Sequence, residues 1–161
     1  MIVPYKEVER MVDYYLPDDI KSYHWGNEYE LKEFLSVKTK TVYPLLWFVL
    51  PNGDGSYPKQ KPWMETEINL FLATTTKLSW LNPQREVETF EQELNPIVDK
   101  LIEMFIKSNN VQVLSDNFIS NALPNYYQEG KKNQSNNYWD VRTLKFQGRV
   151  FHKQCLTELT L

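Results

Sequence analysis

The sequence predicts an α+β fold, a small and mostly antiparallel sheet with helices packed on one face, built as a single domain over residues 1–161. Two observations carry that prediction. Apolar spacing alternates between a helical period and a strand period, in the order helix, strand, strand, long helix, strand. No linker, repeat or low-complexity stretch divides the 161 residues, a length that suits one domain with its own core.

Pro4 opens the first helix, because a first turn tolerates the missing N–H. Val8, Met11, Val12, Tyr15 and Leu16 then recur at three and four until Pro17 stops the pattern. A shorter helix is predicted over Glu28 to Leu35, with Leu31, Phe34 and Leu35 on one side. Thr41 to Leu50 is β-branched, aromatic and nearly continuously apolar, the pattern of a strand covered on both faces, with Pro44 at its entry. Residues 51–62 concentrate proline, glycine, asparagine and aspartate and are predicted to be a long loop. Met64 to Thr75 alternates: Thr66, Ile68, Leu70 and Leu72 on one side, Glu65, Glu67, Asn69, Phe71 and Ala73 on the other. It is expected to pair antiparallel with the preceding strand.

From Glu86 to Lys107 the period is helical, with a stripe from Val87 and Phe90 to Leu101 and Phe105. Pro96 interrupts it. A proline inside a helix removes one hydrogen bond and crowds the preceding turn, so a kink or a division is expected there. A short strand is predicted at Val111 to Leu114, and residues 124–138 read as a polar, mobile loop. Trp139 to His152 closes the chain as a strand. Leu144, Phe146, Gly148 and Val150 face one way, and Lys145, Gln147, Arg149 and Phe151 the other. A glycine in mid-strand predicts a bulge or a close backbone approach.

The composition is that of a folded protein, with 42% hydrophobic and 24% charged residues. Aromatics are abundant at 5 Trp, 10 Tyr and 8 Phe, more than core filling asks for, and the surplus suits contact surfaces. A net charge of −3 gives no general phosphate-gripping surface. The single cysteine, Cys155, excludes an internal disulfide and a zinc site built on several cysteines. No apolar run approaches the roughly 20 residues of a membrane helix, and the first residues lack a signal-peptide pattern. A cytosolic-type protein is therefore expected.

Chemistry is sparse. His24 and His152 are far apart in sequence and neither sits in a nucleophile motif. Gly53-Asp54-Gly55 lacks the Lys-Ser/Thr of a phosphate loop. Glu65 and Glu67 share one strand face and are capable of acid–base work or cation binding, but a solvated or subunit-facing sheet surface explains them more simply. Lys145 and Arg149 occupy the matching face of the last strand. Together these four are the candidate interface residues, pairing either within one subunit or across a boundary. No catalytic, cofactor or metal residue is assigned.

Four segments, in this order, resemble tail-completion or tail-terminator proteins of tailed bacteriophages, as in phages and prophages of Bacteroidetes-type hosts. They are Tyr43-Pro44-Leu45-Leu46-Trp47, the strand Ile68 to Thr76, the helix with Phe90 and Leu94-Asn95-Pro96-Ile97, and Trp139-Asp140-Val141-Arg142. The resemblance covers roughly residues 1–155 and includes no catalytic signature. It implies a non-enzymatic virion protein, assembled in the host cytoplasm, that needs no cofactor. Its copies would form a ring, six-membered by that resemblance, that ends the tail tube, meets tube and neck proteins, and leaves a channel through which DNA passes without specific binding. A neck adaptor or head-closure protein touching the portal, twelve-fold if an adaptor, is the nearest alternative. A small hydrolase using Glu65, Glu67 or His152 is the alternative of another class. The loops at 51–62 and 124–138 depart from the family pattern and leave open which surface would meet the tube.

Overall fold

The computed structural model describes residues 2–36, 42–51, 62–77, 79–126, 138–152 and 155–161. Helix α1 (Pro4–Tyr15) is followed by strand β1 (Ser22–Gly26), helix α2 (Glu28–Ser36) and strands β2 (Leu45–Val49) and β3 (Trp63–Thr76). A continuous helical stretch comes next: α3 (Asn82–Arg85), a π-helical segment (Glu86–Leu94) and α4 (Asn95–Lys107). Strands β4 (Val111–Val113), β5 (Ile119–Tyr126) and β6 (Tyr138–Phe151) complete the chain. This is an α+β fold around a six-stranded mixed sheet in the order β1-β2-β3-β6-β4, with β5 also on β6. Among the described residues only β1 and β2 run parallel, and the other pairings are antiparallel.

The alternation read from the sequence becomes two cores. On one face Leu46, Phe48, Ile68, Leu70, Leu72, Leu144, Phe146 and Val150 meet α1 and α4 through Val8, Met11, Leu101 and Phe105. On the other, Leu45, Trp47, Phe71, Ala73, Trp139 and Val141 meet Leu31 and Leu35 of α2. So β2 is covered on both faces, as its unbroken apolar run requires. The long helices share one face, and α2 adds a cover to one end of the other. Asn27 caps α2: its Oδ1 accepts the Glu30 N–H at 2.9 Å, and Glu30 Oε2 accepts the Asn27 N–H at 2.7 Å. Gly26 is required just before it, because a Cβ there would stand 2.8 Å from the Trp47 ring.

β3 and β6 pair over fourteen residues without a break in register, from Trp63↔Phe151 to Thr76↔Tyr138. Gly148 marks neither a bulge nor a backbone approach; neighbouring side chains fill the space a Cβ would take. A Cβ there would lie 2.8 Å from Ile68 Cδ1 and 3.3 Å from Val111, the β4 residue packed beside it.

The division expected at Pro96 takes the form of a change in helix type: π-helical turns give way to α4 at Asn95, and Pro96 lies in the first turn of α4. The segment before it opens into π-helical turns, with the Asn95 N–H bonded to the Phe90 carbonyl five residues back. A wider turn moves the carbonyl that the proline ring would strike and leaves no hydrogen bond waiting for the N–H it lacks.

Two strands lie outside the sequence expectation. β1 and β5 are short or weakly apolar, and both owe their strand form to pairing with a longer neighbour. β5 takes residues 124–126 from the loop expected at 124–138, and the polar remainder 127–137 lies outside the described residues, as do 52–61 of the first expected loop. After β6, residues 155–161 return over the helices. Tyr15 Oη donates to the Thr157 carbonyl at 2.7 Å and Lys107 Nζ to the Thr160 carbonyl at 2.6 Å, while Leu156 and Leu161 pack against the core. No described helix is long and apolar enough to cross a membrane.

A candidate interaction surface on the sheet

Beyond α2, the sheet face opposite the long helices carries the four residues singled out by sequence. Odd-numbered residues of β3 and β6 point there, so Glu65, Glu67, Lys145 and Arg149 stand on one surface. Glu65 is directly across from Arg149, whose Nη2 and Nε lie 2.6 and 3.2 Å from Glu65 Oε1. Lys145 Nζ reaches diagonally to Glu67 Oε2 at 2.9 Å. Arg149 also donates through Nη1 to Gln112 Oε1 of β4 at 3.2 Å, and its guanidinium lies 4.1 Å over the Trp63 ring. Of the two arrangements expected, within a chain or across a boundary, these pairs form within one chain. They tie β3, β6 and β4 together at an exposed surface.

The two carboxylates thus each have a cationic partner. His152 is exposed just past β6, where its backbone N–H donates to the Pro62 carbonyl at 3.0 Å. No three histidine, cysteine, aspartate or glutamate side chains gather in a metal-ligand cluster among the described residues. His24 packs against Phe34 and Trp47, with ring centroids 4.6 and 5.9 Å away. Loss of hydration there lowers its pKa, and Glu9 opposes the shift.

Sequence reading gave no role to the polar residue most deeply buried among those described. Asp140, fully buried, lies on the helix-bearing face of β6, 3.9 Å from Arg85 Nε and 2.6 Å from the Thr89 hydroxyl. That hydroxyl is also 2.7 Å from the Arg85 carbonyl, so its one proton serves one acceptor at a time. Arg85 in turn donates from Nη2 to the Lys77 carbonyl at 3.1 Å. The trio pins the π-helical segment to the start of β6. An adjoining cleft of about 350 Å³ is lined by Arg85, Phe90, Asn95, Ala122 and Arg142, with Arg142 Nε donating to Asn95 Oδ1 at 2.9 Å. The available signal was parity: Asp140 falls in step with Leu144 and Phe146, hence on the core side.

A scan against protein-family models finds no match to this chain, and a search of curated proteins finds none either.

Proposed function

We propose that this chain is a structural virion subunit. Its copies form a ring at the head-proximal end of a phage tail, end the tube there and join it to the neck around a DNA channel. The observation that carries this reading is spatial. Segments that resemble tail-terminator proteins are scattered from residue 43 to residue 142, yet they meet. Trp47, Phe71, Ala73, Trp139 and Val141 build one cluster. The Trp139 indole N–H donates to Tyr43 Oη at 2.7 Å, and Arg142 reaches Asn95 in the helix. The three strand segments thus share one core and the helix segment joins the sheet from its other face, a continuity that supports the reading. The net charge of −3 also suits a channel that lets DNA pass without gripping its phosphates.

The test is capture by the tail-tube protein of the same phage. The chain is expected to sediment with assembled tubes and to cap one end of each. Tubes that grow to the same length with or without the chain, and sediment without it, would overturn the reading.

A further inference from the structure

We infer that the ring is closed by β-sheet pairing, with strand β5 of one copy adding antiparallel to strand β1 of the next. The inference rests on the ring reading above and names its interface. A sheet that is not a barrel ends in two edges, and each edge is a row of free backbone donors and acceptors. Stable monomers blunt such edges with charges, prolines or bulges. Among the described residues β1 is the last strand on one side, and β4 and β5 are the last on the other. Neither Ser22–Gly26 nor Ile119–Tyr126 contains a lysine, arginine, aspartate or glutamate. Pro124 and the register shift between Leu123 and Tyr126 do blunt the far end of β5. What remains open is Ile119 to Leu123, the same length as β1.

Each edge also carries an exposed apolar side chain. Ile119 is 55% exposed and Leu123 36% on β5, and Trp25 is 43% exposed on β1. The chain directions also agree. β1 runs parallel to β2, β2 antiparallel to β3, β3 to β6 and β6 to β5, so β1 and β5 are antiparallel. Continuing the sheet from one copy to the next therefore makes an antiparallel junction. Centred on each other, the two five-residue edges set Asn121 opposite His24 and Ser120 opposite Trp25. Each pair then shares a face: His24 and Asn121 lie on the surface that carries Trp47 and Lys145, Trp25 and Ser120 on the helix-bearing face. Two unlike edges give a head-to-tail contact, which closes into a ring when the rotation per copy allows. The occupant of each edge is thus a second copy of this chain.

Cysteine pairs test this in a Cys155→Ser background. With His24→Cys and Asn121→Cys in the same chain, mild oxidation is expected to give a ladder of covalent multimers, and neither single variant should do so. Ala122→Lys puts a charge on an exposed edge position and is expected to raise the protein concentration needed for half-assembly at least tenfold, with an unchanged circular dichroism spectrum. A covalent dimer from Asn121→Cys alone would overturn the inference in favour of β5 pairing with itself. Rings formed by the wild-type chain, with no ladder from the double-cysteine variant and no effect of Ala122→Lys, would overturn the edge contact and leave the ring reading standing. A wild-type chain that stays monomeric at all concentrations would overturn both.

Discussion

At the level of single residues, a buried polar anchor on β6 contrasts with an exposed charged surface. Asp140 belongs to the first. Removing its carboxylate takes away the anion 3.9 Å from the Arg85 guanidinium, itself 4% exposed, and one acceptor of the Thr89 hydroxyl. Asp140→Ala is therefore expected to destabilise the fold by about 3–5 kcal/mol, the usual consequence of stranding a buried charge. Urea unfolding measures it, and a loss below about 1 kcal/mol would mean that the anchor contributes no more than a surface pair. His24 gives a pH dependence. Its pKa is lowered in the folded protein, so the unfolded chain binds the proton more readily. That contribution to stability is present above the ordinary histidine value of 6.5 and is lost as pH falls below it through the lowered folded value. His24→Gln should flatten the decline in unfolding free energy between about pH 7.5 and pH 5. An unchanged slope would assign the decline to other groups. Glu65, Glu67, Lys145 and Arg149 were legible because a strict period of two assigns every residue of a strand to a face. Asp140 was equally legible by parity, but an acidic residue on a core face gives no hint in sequence of the partners that make it affordable.

At the scale of elements, β3 and β6 organise everything else. Their fourteen paired residues carry both cores, and the cross-strand ion pairs stitch their open end. These pairs stand in water, where each contributes at most about 1 kcal/mol. Lys145→Glu is thus expected to change stability by no more than about that amount, with β-sheet circular dichroism unchanged. Sedimentation velocity on the same variant separates two roles: slower assembly than wild type places this surface at a subunit boundary, and identical assembly makes it solvent-facing. The α1, β2, β3, α4 and β6 elements were readable from periodicity, since each buries a stripe of its own. β1 and β5 were not. SYHWG and ISNALPNY lack a periodic apolar face and become strands because β2 and β6 offer them partners. The π-helical turns before Pro96 escaped prediction for a related reason. A proline shows where an α-helical bond is missing, and only packing decides whether the chain kinks, breaks or widens there.

For the whole molecule, the described sheet ends in two uncharged edges, and a long-helix layer guards one face while α2 covers part of the other. An α+β domain of this kind was foreseeable from the order of periods along the chain. The proposed place at the top of a phage tail rests on segments that resemble tail-terminator proteins. On the proposed reading the protein works by assembling with copies of itself. Light scattering over a wide range of protein concentration, with negative-stain imaging of the same samples, tests this. The expected result is a mass that rises with concentration to a discrete multimer, seen as rings with an open centre; a mass fixed at one chain, 19.2 kDa, across the whole range would overturn the reading.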